Sequence, residues 1–326
     1  MSKVALVCGA AGQDGTYLVD LLLRKNYTVW ATSRDAQAAS FSNWNKIGID
    51  SSIVNKISMD PEDFRSVFMA LRSSCPDEIY YLAGQSSVGL SFELPAETVK
   101  GVTIGVLNVL EACRMFDRPV RLYAAGSSET FGSTCGAPAV ETTALRPSSP
   151  YAVAKASAYW LVKSYRETYG VFACTGILFN HESPLRPARF VTQKIVAAAC
   201  GIVSGAEDLL HLGRVDIRRD WGWAPEYVEA MWLMLQQDSP EDFVVATGTS
   251  ATLEQFVAEA FRYLGLDWKE HVRIDESIFR PTDLVVSNAN PSKAERQLGW
   301  KARYTMPDVV KGMVEANMQV RNRSGS

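Results

Sequence analysis

The stretch that most restricts this chain is its beginning. An apolar run at residues 3–8 passes without interruption into Gly9, Gly12 and Gly15, spaced G-x-x-G-x-x-G, and then into Leu18, Leu21 and Leu22 at helical spacing. A continuous apolar run reads as a parallel strand buried on both faces. A helix that starts directly behind a tight glycine turn aims its free N–H groups and its positive dipole end at that turn. The backbone there can approach a pyrophosphate closely, so Gly9, Gly12, Gln13, Asp14 and Gly15 are candidate contacts to a dinucleotide. The plain alternative is a tight strand-to-helix turn with no ligand.

The pattern then repeats. Apolar strand-like runs recur at 27–32, 57–60, 77–83, 120–125 and 171–179, with helical stretches at 61–73, around Val99, Val102, Val106, Val109 and Cys113, and at 151–169. Six βα units predict a doubly wound parallel sheet of Rossmann type, an α/β fold, with a smaller C-terminal substrate-binding lobe. The expected division is residues 1–180 for the dinucleotide domain and mainly 181–326 for the lobe, with segments around 216–250 returning to the first. The polar stretch 36–56 reads as a long loop, the stretch 180–186 as turns, and 321–326 as a disordered tail.

Within this frame Ser127 and Glu129 leave the end of the fifth strand, and an extended backbone there points both side chains the same way. Tyr151 and Lys155 are four apart on the next helix, where an ammonium lowers the cost of ionising the phenol. A hydroxyl, a carboxylate, a phenol and an ammonium suit hydride and proton transfer, although Tyr-x-x-x-Lys alone is common on solvated helix faces. Arg34 ends the second strand, where an arginine accommodates a 2′-phosphate and so points to NADP rather than NAD; Asp35 beside it pulls the other way. Asp60 stands where it could meet an adenine, and Ser86 follows the fourth strand. Later, Arg214, Arg218, Arg219, Arg273 and Arg280 are interleaved with aromatic residues, as a lobe gripping an anionic nucleotide would need; surface pairs such as Arg219 with Asp220 are the alternative.

Lined up, these residues resemble the extended short-chain dehydrogenase/reductase family and, within it, the GDP-mannose 4,6-dehydratases. The match runs through the Gly-Gln-Asp-Gly loop, Ser127-Ser-Glu129, Tyr151 to Lys155, the block 176–184, Arg219 to Gln237, and Phe279-Arg-Pro281. The resemblance implies an internal redox cycle. Tyr151, tuned by Lys155, takes the 4-hydroxyl proton of the hexose, Ser127 hydrogen-bonds the 4-oxygen, and Glu129 removes the C5 proton so that the 6-hydroxyl leaves as water. Carried over by position, it also implies Leu82, Lys155 and Tyr151 on the cofactor side, and Ser86, Asn180, Glu182, Val191, Lys194, Arg219, Arg280 and Asp283 around a GDP-sugar. Asp35, where relatives carry a second Arg, and the loop 36–44 depart from the family pattern.

Other readings stay open at this point: the same chemistry on another GDP-sugar such as a GDP-heptose, a nucleotide-sugar 4-epimerase or ketoreductase, or a non-enzymatic NADP-binding protein. With 326 residues, 47% apolar and net charge −3, the chain is an ordinary globular protein without a nucleic-acid surface. No run is long enough for a membrane span. Six scattered cysteines and three histidines predict free thiols in the cytoplasm and no metal site. The family resemblance implies a homodimer or homotetramer.

Overall fold

The computed structural model describes residues 2–324. Its centre is a seven-stranded sheet built from β1 (Val4–Cys8), β2 (Thr28–Ser33), β3 (Asn55–Ser58), β4 (Glu78–Tyr81), β5 (Arg121–Ala125), β6 (Ala173–Leu178) and a late strand, Phe243–Val245. All pairings are parallel, and the order across the sheet is late strand, β6, β5, β4, β1, β2, β3. The first strand shows why the sequence demands layers on both sides: Ala5 and Val7 join one fully buried cluster, and Leu6 and Cys8 join another. Alternation sends them to opposite faces, so each face needs its own cover.

Helix α1 (Gln13–Arg24) covers one face, burying Leu18, Val19 and Leu22. Each such side chain removed from water contributes about 1.5–3 kcal/mol. The other face is covered by α3 (Phe64–Ser74), which follows the short α2 (Ser42–Ile47), and by later helices. Those are α6 (Gly105–Met115) and α7 (Pro150–Tyr169), while the short α4 (Val88–Glu93) and α5 (Pro95–Val99) pack against α7. A π-helical turn at Lys100–Ile104 links α5 to α6. Val102, Val106, Val109 and Cys113 of the anticipated stripe are core, whereas Val99 is exposed.

The chain leaves the sheet through β7 (Asn180–Glu182), where turns alone were anticipated, and α8 (Val191–Val203). Beyond β8 (Leu210–Leu212), β9 (Arg218–Trp223) pairs with β7 on one side and with Ser250–Thr252 on the other. Between those partners α9 (Ala224–Met234) returns to pack on α1, and Phe243–Val245, which is β10, adds the sheet's seventh strand. With β11 (Ser250–Thr252) the lobe resumes. Its core lies between α8, α10 (Leu253–Tyr263) and the helix Met306–Ser324, around Ile195, Phe256, Phe261 and Met313.

Two expectations need correction. The stretch 36–56 is not a bare loop: α2 drives Trp44 fully into the core, where Nε1 donates to the Ala10 carbonyl at 3.0 Å. A polar composition hid this single anchor. The anticipated tail from Arg321 is helical as far as Ser324, because Arg321 donates to the Ala197 carbonyl at 3.1 Å; residues 325–326 lie outside the described residues.

Candidate active site

The strand order reverses between β1 and β4, and a cleft opens where their carboxyl ends diverge, as open α/β sheets provide. A cavity of about 330 Å³ there is lined at one end by Gly9, Gly12, Gln13, Asp14, Gly15 and Leu82. Ser127, Glu129, Tyr151 and Lys155 line its middle, and Asn180, Glu182, Val191, Arg219 and Arg280 its far end, with Ser86 on the rim.

Each glycine at the near end answers a local requirement. Gly9 has φ +89°, and a Cβ there would lie 2.9 Å from the Leu82 carbonyl carbon. A Cβ at Gly15 would lie 2.2 Å from the Gly9 oxygen. Gly12 supplies no side chain to cap α1, so the free N–H groups of its first turn are left for a ligand in the cleft. Close backbone approach together with uncapped donors fits a dinucleotide pyrophosphate. Arg34 is exposed at the end of β2, and Asp35 turns its carboxylate onto the Gln37 and Ala38 N–H groups at 2.9 and 3.0 Å. Arg34 and Asp60 do not line this cavity; the Asp60 carboxylate accepts the Glu62 N–H.

The middle is set by two helix starts. Ser149 caps α7 by accepting from Ala152 N at 3.1 Å, and Pro150 occupies the first turn, so Tyr151 and Lys155 emerge on one face. After β5 the backbone does not stay extended. Ser127 caps a 3₁₀ turn, Ser128–Phe131, and its Oγ accepts from Glu129 N at 3.3 Å, so the two side chains reach the cleft from a turn rather than from a strand. Burial pushes the Tyr151 phenol up to about 12, with the Ser127 hydroxyl opposing. Burial likewise pushes Lys155 down to about 8, while its Nζ donates to the Ala125 carbonyl at 2.6 Å and lies 5.9 Å from the Tyr151 ring centroid. The expected easing of phenol ionisation by Lys155 is therefore outweighed in the protein alone by desolvation of both groups. Burial also raises Glu129, and Arg219 and Arg280 act against that rise.

At the far end the arginines separate. Arg219 is 5% exposed, donates to the Leu284 carbonyl at 2.7 Å and stands 3.6 Å from Asp283, which is 3.6 Å from Arg280 as well. Asp220 on the opposite side of β9 instead accepts from Thr247 N and Gly248 N, so the alternative pairing of Arg219 with Asp220 does not form. Arg214 pairs with Asp216 on the surface and Arg218 donates to Ser250 O. Lys194 is exposed on α8 and is not part of the lining. Glu182 is committed to Thr192 Oγ1 at 2.8 Å and Arg186 at 2.9 Å.

Sequence reasoning assigned no role to His181, Arg186 or Arg189, all of which line the cleft. His181 and Arg186 lie within or beside the block 176–184 already noted, so position was available as a signal, but their burial was not. Among the described residues no group of three His, Cys, Asp or Glu could share a metal ion.

Residues 6–313 match the family model described as GDP-mannose 4,6 dehydratase. The chain is 46% identical over 330 residues to GDP-mannose 4,6 dehydratase 1 of Arabidopsis thaliana, covering 98% of this chain and 91% of that protein. It is 38% identical to the GDP-mannose 4,6-dehydratase of Vibrio cholerae, covering 99% and 96%. Among solved structures it resembles Thermus thermophilus UDP-glucose 4-epimerase in complex with NAD, with TM-score 0.82, 26% identity and 96% and 98% of the two chains covered. Bacillus anthracis dTDP-glucose 4,6-dehydratase in complex with NAD shares the fold, with TM-score 0.85 at 19% identity and 98% of each chain covered.

Proposed function

This chain belongs to the GDP-mannose 4,6-dehydratase family, and from that premise we propose how its own residues carry out the dehydration of GDP-mannose to GDP-4-keto-6-deoxymannose. The observation that carries the proposal is that Ser127, Glu129, Tyr151 and Lys155 share one cleft, between the uncapped start of α1 and the Arg219–Arg280 end.

Arg219 and Arg280 hold the diphosphate, and Asp283 keeps both guanidinium groups on the cleft side. Ser127 Oγ donates to the sugar 4-oxygen. Tyr151 Oη accepts the 4-hydroxyl proton, with the Lys155 ammonium stabilising the phenolate that this role requires. Once C4 is a ketone the C5 proton is acidic. Glu129 removes it and returns a proton to the departing 6-hydroxyl, which leaves as water. When bound, the nicotinamide supplies hydride chemistry, accepting at C4 and giving back at C6. Simple oxidation or epimerisation at C4 has no use for a C5 base, so Glu129 favours elimination over those readings.

The nicotinamide cofactor is NADP on this reading, supported by Arg34 at the end of β2 and by an Asp35 carboxylate already engaged by its own turn. Two subunits pair through α5–α7, where Val99, Ile104, Val153 and Trp160 are exposed. A dimer rather than a tetramer is supported by Asn43 and Trp44, which tie the loop 36–44 to its own glycine turn instead of leaving it free to reach another subunit. Six free cysteines suit the cytoplasm, and among the described residues no helix is long and apolar enough to cross a membrane.

The test is product analysis after incubation with GDP-mannose, and separately a GDP-heptose, with no added reductant. A 4-keto-6-deoxy product from GDP-mannose is expected. A product from the heptose alone, or a C4 epimer, overturns the proposal.

A further inference from the structure

The His181 imidazole is gripped at both nitrogens. Nδ1 lies 2.7 Å from the Phe179 carbonyl oxygen, and Nε2 lies 2.9 Å from Asp14 Oδ2. A carbonyl accepts only, and so does Asp14 when ionised, so a hydrogen on each ring nitrogen, the imidazolium form, is the one that satisfies both contacts of an ionised Asp14. Asp14 is likewise set up as an anion: Gln13 Nε2 donates to its other oxygen at 3.0 Å, and it lies in the first turn of α1, where the helix dipole favours negative charge.

The pair also joins two parts of the fold. Gln13 donates to the His181 carbonyl at 3.1 Å and accepts from Ser183 Oγ at 2.8 Å, which ties the start of α1 to β7. Tyr227 of α9 stacks on the imidazole at 4.5 Å. The other charged or titratable groups facing the pair are Arg186, which repels the ring and attracts Asp14, and the Tyr17, Tyr123, Tyr151 and Lys155 side chains on the Asp14 side. Glu182, next in β7, is neutralised by Arg186.

We propose that His181 is a positioning residue for the reaction: a standing imidazolium that cancels the Asp14 charge beside Tyr151 and Lys155, so that Tyr151 can give up its proton near neutral pH. An uncompensated Asp14 would oppose the phenolate directly. Burial works against the imidazolium, and the Asp14 charge and the two hydrogen bonds overcome it. The inference rests on Tyr151 being the acceptor of the 4-hydroxyl proton.

Two measurements test it. In NMR of the purified protein, the His181 ring, assigned by its loss in His181→Asn, keeps the imidazolium form from about pH 6 to about pH 8, where an ordinary imidazole loses its proton. A ring that becomes neutral with an ordinary midpoint overturns the proposal, and the titration itself is read on the wild-type protein. In turnover, His181→Asn moves the acid limb governed by Tyr151 upward by about half to one pH unit, roughly a three- to tenfold loss at neutral pH. The double variant Asp14→Asn, His181→Asn removes both charges and brings the limb back toward the wild-type pH. A folded His181→Asn protein with an unmoved limb, or a double variant whose limb stays as high as the single's, overturns it too. Failure of the underlying reading looks different: Tyr151→Phe would then turn over normally while the His181 ring behaved as described.

Discussion

Replacing Glu129 by Gln removes one charge at constant volume. The Ser127 Oγ bond to the residue 129 N–H is a backbone contact and survives the change, so the 3₁₀ turn has no reason to move. What is lost is the base for the C5 proton. A positioned general base contributes about 10²–10⁴-fold, equivalent to about 2.7–5.4 kcal/mol of barrier at 1.36 kcal/mol per tenfold. Burial raises the Glu129 pKa, so it is a stronger base than an exposed carboxylate, although Arg219 and Arg280 hold part of that rise back. A loss in the upper half of the range is expected. The assay is product formation from GDP-mannose, together with deuterium incorporation at C5 from heavy water. Both should collapse, while the cofactor dissociation constant stays within about twofold, since residue 129 follows β5 and not the glycine turn. The pH sign follows from the raised pKa: wild-type turnover falls as pH drops through the Glu129 value, above the usual carboxylate range, and the Glu129→Gln variant lacks that limb. Turnover within tenfold of wild type, or C5 exchange at the wild-type rate, would refute the assignment.

Trp44→Ala empties a fully buried site and strips the Ala10 carbonyl of its indole donor, so chemical denaturation should show a loss of about 3–5 kcal/mol. Gly15→Ala places a methyl 2.2 Å from the Gly9 oxygen, and calorimetry should find dinucleotide binding lost or weakened at least tenfold while the substrate lobe stays folded. Arg34→Ala should weaken NADP binding and leave NAD binding nearly unchanged, giving a tenfold or greater fall in the ratio of the two affinities. The Asp14–His181 pair makes stability depend on pH in both directions. Asp14, lowered from 3.8, stabilises above that value and ceases to as pH falls through its lowered pKa, whereas His181, raised from 6.5, stabilises below that value and ceases to as pH rises through its raised pKa. Melting temperatures should therefore show an alkaline decline that the double variant Asp14→Asn, His181→Asn lacks.

The sheet was readable because its strands are buried on both faces, and unbroken apolar runs such as residues 3–8 have few other uses. The glycine turn was readable because steric exclusion leaves a sequence mark: no other residue fits at Gly9 or Gly15. Trp44 was not, since one aromatic residue in a polar stretch carries no periodicity and its hole is formed by a distant turn. The Ser127–Glu129 geometry was read with the wrong backbone: Ser127 caps its own 3₁₀ turn, a local competition between side chain and strand that alternation rules ignore. Lys194 lies off the lining because position along α8 fixes which face a side chain takes, and only Val191, Thr192 and the residues before them turn inward at that end.

Electrostatics was the least legible layer, for a reason the cleft itself supplies. Tyr151 four residues before Lys155 suggests a mutually stabilised phenolate and ammonium, and in water that would hold. Here both are pressed toward neutrality, the phenol to about 12 and the ammonium to about 8. Ionising Tyr151 therefore depends on charges that arrive from elsewhere in the chain. Arg186 is one, and the standing of Asp14 decides the sign of another. His181 is 167 residues from Asp14, on a strand that exists only because β7 pairs with β9. The fold thus brings to Tyr151 the compensation that no local motif contains, and the Tyr/Lys pair identifies where proton transfer happens without fixing the pH at which it can.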